Sequence, residues 1–541
     1  MKNRVTENWL INANELAFEI PFCQLLISQG YKLIHKTRHG PFEQGKDIIA
    51  SKDGEYYGFQ LKSGNITQQK WQSILAEVTS LVEIELKHPA IPSGMRHNSV
   101  LVTNGDLSEE VRIEIDDRNK NWKSRGYRGL NVITKGMLLD DFQKNYGDYF
   151  PTEIGSLTDF LNLYTEDGRE HLHRDKMAKF LESFLPIDDT LDNLPKNKIR
   201  QLINSSVILV SYLLEKKIAA NNFVAVLDAW TIQVAYIFLL AQKYKLNKEE
   251  YSETIKLLFS AIETNFNLLT GELKSRKNYL EAGNPLTDFC VYKTRITITS
   301  GYISAYALYE KIRYSRDYEK DFILSFLDQN TKQLTCLGEW FNPLILNTML
   351  ARRCFEQKDA LVVVSVMLEG LLRKSRSNEV MKTPLALGLP DPYHSPEEII
   401  KLQLGLIEDL SGESFVGLSY GLETIKLLHA YYNLKEELSS RWARIVDVQE
   451  AKFSPAKSWH NFRWENRDEG DFSTRFLNET QSWGELLNQS KQLSEKKLPE
   501  PLDHYPEFLP LFLSVFPHRF CPELILPFVA KLESKLTKSK K

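Results

Sequence analysis

Asp47, Gln60 and Lys62 bring together the residue types that phosphodiester hydrolysis needs: a carboxylate, a side-chain amide oxygen and an ammonium. A hard divalent cation takes oxygen ligands, which Asp47 and Gln60 can supply, and magnesium keeps several waters beside one or two carboxylates. Such a cation lowers the pKa of a water, and Lys62 is placed to orient or deprotonate that water and to offset charge growing on the phosphate. The stretch between the three residues dictates their geometry. Asp53-Gly54 reads as a two-residue hairpin turn, because both residues tolerate positive φ. With these two as the loop, Lys52 faces Glu55, Ile49 faces Gly58 and Asp47 faces Gln60, with Cα atoms about 4.5–5.5 Å apart on one face. The strand period of two keeps Gln60 and Lys62 together there and sends Phe59 and Leu61 into the core. Gly58, on the same face as Gln60, leaves room for a backbone to approach.

Around this hairpin (Lys46–Ser63) the pattern predicts a helix over 7–28, a strand at 31–36, a helix over 67–86, a short buried strand at Ser99–Thr103, a helix over 108–123, a strand at 131–134 and a final helix. That order implies a small α/β domain with a mixed sheet flanked by helices over residues 1–150. Beyond it, apolar residues recur at three and four positions, as in Val207–Leu214, Tyr302–Tyr314 and Leu346–Leu372, which predicts a large all-α region of stacked helical hairpins. Proline and glycine cluster at 185–196, 382–396, 453–471 and 498–510. The division expected is a linker with connecting helices at 151–198, a helical array at 199–380 and a C-terminal helical region with a basic tail at 397–541.

Phe18-Glu19, then Gly30-Tyr31, then Gly45-Lys46-Asp47-Ile48, then Phe59-Gln60-Leu61-Lys62 resembles the Mrr-like branch of the PD-(D/E)xK, or restriction-endonuclease-like, superfamily. The likeness covers about the first 140 residues, with Ser99–Asn104 as the later core strand. It implies a metal-dependent nuclease fold in which Asp47, Gln60 and Glu19 hold magnesium or manganese and Lys62 is the catalytic lysine, with DNA as substrate. Gln60 stands where most of the superfamily has an acid, which removes one negative charge from the site. Pro21 lies two residues after Glu19, where a proline removes an amide donor and bends a helix, so Glu15 is the alternative fourth residue. Sites of this superfamily are often completed by dimerisation, which implies a homo-oligomer.

The remaining signals narrow the field. A chain of 541 residues with 42% hydrophobic and 26% charged residues has material for several cores, and its formal charge of −3 confines any nucleic-acid contact to a local patch. Candidates for that patch are Arg38 and His39, just ahead of Asp47, and Lys123, Arg125 and Arg128, with Trp122 and Tyr127 interleaved. The five scattered cysteines form no CxxC pair, and the first residues lack a signal-peptide core, so a cytoplasmic protein is expected. Phe223–Ala241 nearly reaches membrane-spanning length, but Asp228 and Gln233 at its middle mark it as a buried helix, with no membrane expected. Gly417-Leu418-Ser419-Tyr420-Gly421 spells a GxSxG elbow without the preceding strand such an elbow needs.

The expectation is therefore a metal-dependent nuclease joined to a helical region that recognises a protein partner, a trigger or the substrate, an arrangement that resembles the effectors of prokaryotic antiviral defence. The rival reading, of a different class, is a non-catalytic scaffold that binds nucleic acid or a partner through its helical array.

Overall fold

A computed structural model of the chain describes residues 2–36, 46–146, 154–187, 194–276, 288–331, 334, 338–380, 395–407, 418–464, 471–475 and 481–538. Arg38 and His39, and most of the 382–396 segment, lie outside the described residues.

Five strands form one sheet in the order β1 (Lys32–Lys36), β2 (Ile48–Lys52), β3 (Glu55–Lys62), β4 (Asn98–Thr103) and β5 (Leu130–Ile133). The first three pair antiparallel, while β3, β4 and β5 run parallel, so the sheet is mixed as expected. The β2–β3 turn has Asp53 at φ 51° and Gly54 at φ 81°, and the register is Lys52 to Glu55, Ile49 to Gly58 and Ile48 to Phe59. Two positive φ values match the right-handed twist of the strands, which is why this dipeptide sets the register.

The first helical stretch is two helices, α1 (Lys2–Asn12) and α2 (Glu15–Ser28), where one was expected. Asn14 ends the run because its side chain accepts the Ala17 amide and caps α2. Buried Asn104, just past β4, then donates to the Leu10 and Ala13 carbonyls (2.5 and 2.8 Å) and accepts the Gly64 amide (2.5 Å). One side chain thus ties the α1–α2 junction to the end of β3. Helix α2 continues through Pro21 and covers one sheet face, with Phe22 against Phe59 at 5.5 Å. Helices α3 (Gln68–Glu83) and α4 (Glu109–Ser124) cover the other, where Trp71, Ile74, Val78, Leu81, Ile115 and Trp122 enclose Leu101. Helix α5 (Lys135–Tyr146) follows β5 and sets Phe142 edge-on to Trp9 at 5.9 Å.

Two compact units divide the chain at residues 268 and 269. The change from sheet to helix near residue 150 therefore falls inside the first unit, which also holds α6 (Ile154–Thr165), α7 (Arg174–Phe184), α8 (Lys196–Ala219), α9 (Phe223–Lys243) and most of α10 (Ser252–Ser275). The reason is burial on the far side of α1 and α2: Tyr212 of α8 stacks on Trp9 at 4.3 Å, and Gln24 donates to Asn204 at 2.9 Å. Helix α9 is long and apolar enough to cross a membrane, yet it lies buried in this unit. Its Asp228 pairs with buried Arg174 at 2.8 Å, so the mid-helix charge is compensated, and its Gln233 Nε2 donates to Ser206 at 2.6 Å while Oε1 is buried without a partner.

The second unit is mostly helical, with α11 (Asp288–Tyr314) and α13 (Asn342–Cys354) as core helices beside α12 (Lys320–Asn330) and α14 (Val362–Val380). The expectation of an all-helical 397–541 needs correction. Three strands, β6 (Leu418–Ser419), β7 (Gln449–Ser454) and β8 (Asp471–Arg475), form a second sheet there. They escape a sequence reading because each is short and half polar, and β6 and β7 pair across a long sequence gap. Ser419 of the GxSxG run is thus at the end of a strand, but it is fully buried and donates to Glu339, which also accepts the Tyr420 amide at 3.1 Å. A hydroxyl enclosed in this way is a packing element.

Candidate active site

Asp47, Gln60 and Lys62 lie toward the C-terminal end of β3. Asp47 lies one residue before β2 and brackets Gln60 with one backbone and one side-chain bond: its amide donates to the Phe59 carbonyl at 2.9 Å and its Oδ2 accepts the Leu61 amide at 2.6 Å. The observed register ends with Ile48 opposite Phe59, one pair short of the Asp47–Gln60 pairing read from the turn. Burial pushes the Asp47 carboxyl up to about 6; Glu19 and Glu15 add to the rise, while the Leu61 amide and Lys62 oppose it.

Gln60 is 2% exposed and faces α3, as its parallel neighbour Leu101 does. Its Nε2 donates to Glu77 Oε2 of α3 at 2.6 Å, while its Oε1 is buried without a hydrogen-bond partner. Lys62 Nζ sits 3.1 Å from the same Glu77 oxygen and 3.9 Å from Glu15 Oε2. Burial lowers the Lys62 pKa, but Glu15, Glu77 and Asp47 raise it by more, so the ammonium is held above its ordinary value. At neutral pH Lys62 is a cation. That favours charge stabilisation over proton abstraction as its part in any chemistry.

The two candidate glutamates of α2 stand apart. Glu15, in the first turn, reaches over the sheet end toward Lys62 and accepts the Ser63 amide at 3.4 Å. Glu19, one turn on, pairs with Lys36 of β1 at 3.0 Å, both side chains nearly fully buried, beside a cavity of about 10 Å³ lined by Ser211, Trp230 and Thr264. That volume is about one water. Glu19 is therefore on the α2 side of the sheet and Gln60 on the α3 side, with Asp47 electrostatically coupled to both Glu19 and Lys62. An open cleft of about 410 Å³ lies against Glu15 and Ser63, walled by Asn14, Leu16 and Leu268.

Gly58 does not open this face to a ligand. A Cβ there would lie 3.4 Å from each of Leu81, Leu86 and His97, so side chains already cover it. The basic cluster is also remote. Arg128 pairs with Glu55 at 2.8 Å at the other end of β3, seven residues and about 23 Å of strand from Lys62. Arg125 is bidentate on Glu83 (2.7 and 3.3 Å), Trp122 is buried and donates to the same Glu83, and Tyr127 lies between Arg96 and Arg125. Lys123 is exposed beside them. Ion pairs with Glu55 and Glu83 use the charge that a phosphate backbone would need from Arg125 and Arg128.

Glu77 is a neighbour of Gln60 and Lys62 that the spacing of residues does not reveal. Its only sequence signal is its place at the border of the buried stripe Trp71, Ile74, Val78 and Leu81 of α3. The donor set suits a hard cation through Asp47 and the partnerless Gln60 Oε1, the oxygen chemistry magnesium and manganese require. Among the described residues no group of three His, Cys, Asp or Glu side chains forms a cage. Comparison of the chain with protein-family models, curated proteins and solved structures finds no match.

Proposed function

We propose that this chain is a metal-dependent nuclease that hydrolyses phosphodiester bonds, with DNA as its substrate and a restriction-endonuclease-like N-terminal domain as its catalytic part. The observation that carries the reading is the placing of Asp47, the buried partnerless oxygen of Gln60 and cationic Lys62 at one strand end. The mixed sheet with α2 on one face and α3 and α4 on the other supports the same fold reading.

Asp47 and Gln60 would hold magnesium or manganese, which when bound supplies Lewis-acid polarisation of the phosphate and activation of water. Asp47 must be ionised for this, and burial, which pushes its metal-free carboxyl up to about 6, opposes that ionisation until a cation binds. Lys62 offsets the negative charge that builds on the phosphate oxygens in the transition state. The Leu61 amide holds the Asp47 carboxylate in place through Oδ2, so little reorganisation is left for the chemical step. Glu15 reaches Lys62 at 3.9 Å while Glu19 pairs with Lys36, so Glu15 is our choice as the acid that borders the cleft. The helical region would serve as the element that a protein partner or trigger engages, in the manner of a cytoplasmic defence effector, and a second copy would be a further partner.

The test is incubation of the full chain with plasmid DNA, linear DNA and RNA under magnesium or manganese, beside Asp47→Ala and Lys62→Ala. Metal-dependent cleavage by the wild type that both variants lose is expected. A biological or cleavage effect unchanged in Lys62→Ala would overturn the catalytic reading in favour of the scaffold.

A further inference from the structure

A glutamine in a ligand position has a problem that a glutamate does not. Its two ends differ: one is an oxygen that can bind a cation and the other an NH₂ that repels it, and the side chain is nearly symmetric in shape. Something must choose. In this structure the Gln60 Nε2 is 2.6 Å from Glu77 Oε2, and a carboxylate can only accept, so the reverse orientation would set two oxygens against each other. Gln60 is 2% exposed, and its Oε1 has no hydrogen-bond partner. A buried acceptor left without a donor costs free energy, and a bound cation at that oxygen would remove the cost. Glu77 itself is half exposed on α3 and also takes the Lys62 ammonium at 3.1 Å, so one carboxylate contacts both β3 residues.

We infer that Glu77 is a positioning residue of the site: it fixes the Gln60 amide so that oxygen, and never NH₂, is presented for a divalent cation. This rests on the nuclease reading above and deepens it. It also explains how a site with an amide in place of an acid keeps a ligand oxygen, since the missing charge stands one layer away on α3.

The orientation role predicts a reversal that a general electrostatic role does not. In Glu77→Gln the new amide can donate as well as accept, so Gln60 is released to flip, and Mn²⁺ affinity falls by about tenfold, the loss expected of one charged hydrogen bond. In a Gln60→Glu background the ligand presents oxygen whichever way it turns. There Glu77 opposes a second carboxylate at hydrogen-bond distance, and Glu77→Gln leaves Mn²⁺ affinity unchanged or raises it. A carboxylate acting only through space would weaken binding in both backgrounds on removal.

The experiment is calorimetric titration of Mn²⁺ alone into the full chain, Glu77→Gln, Gln60→Glu and the double variant at pH 7.5. Glu77 is half exposed on a helix, and glutamine suits it, so folding is retained. A tenfold loss in the first background and none in the second supports the inference. Equal effects in both, or no effect in the first, overturn it while the nuclease reading stands. Failure of the wild type itself to bind Mn²⁺ overturns both.

Discussion

Replacing Asp47 with asparagine should stabilise the metal-free protein while abolishing its metal binding. The carboxyl stands at about 6 in the fold against 3.8 for an exposed aspartate, chiefly because it is buried. The folded state therefore holds its proton more tightly than the unfolded chain. Between pH 3.8 and 6 the folded state carries more protons, so stability falls as pH rises through that window and stays lowered above it. The gap of about 2.2 units corresponds to about 3 kcal/mol at pH 7.5. Asparagine carries no charge, and its Oδ1 can still accept the Leu61 amide, so the variant avoids that cost and keeps the bond. Urea unfolding in EDTA measures it. At pH 7.5 the midpoint of Asp47→Asn should exceed that of the wild type by about 1 M for a slope of about 3 kcal/mol/M. The advantage should shrink as pH drops from 6 and vanish near 4. Saturating Mn²⁺ should stabilise the wild type alone and narrow the difference. A variant no more stable than wild type at pH 7.5, or with the same pH dependence, would refute the argument that this carboxylate is held ionised at a cost to the fold.

Lys62→Ala should lower cleavage by about 10²-fold or more while leaving Mn²⁺ affinity within a few fold, because the ammonium acts on the phosphate and is not a ligand; single-turnover rates beside calorimetry separate the two effects. Mn²⁺ affinity should weaken as pH falls below 6, because the metal-free Asp47 carboxyl then holds a proton that the cation must displace, and a calorimetric affinity unchanged from pH 7.5 to 5 would contradict that assignment. Asn104→Ala removes the partner of the Leu10 and Ala13 carbonyls and of the Gly64 amide at a buried position, so a loss of about 2–3 kcal/mol is expected in urea unfolding.

Local rules reach far into the first domain. The Asp53-Gly54 turn, the alternation around Phe59 and Leu61, and the apolar run of β4 each depend on neighbours within a few residues, so hairpin, register and element order are legible from spacing alone. Asn14 shows the limit at short range: a capping side chain divides one apolar stretch into two helices. Long-range pairing defeats the reading elsewhere. Strands 449–454 and 471–475 carry too little alternation to declare themselves, and residues 150–268 join the first unit only because Tyr212 and Asn204 meet α1 and α2.

The candidate site divides along the same line. That β2 pairs with β3 from Lys52–Glu55 to Ile48–Phe59, with Asp47 and Lys62 just beyond, is determined by the sequence itself, because a two-residue turn propagates its register along both strands. Which acids attend them is a matter of tertiary structure. Glu15 and Glu19 are one helical turn apart on α2, yet the first reaches Lys62 and the second is held by Lys36. Glu77 arrives from a helix whose approach to β3 is set by the burial of Trp71, Ile74 and Leu81, and no local pattern encodes where a packed helix brings its border residues.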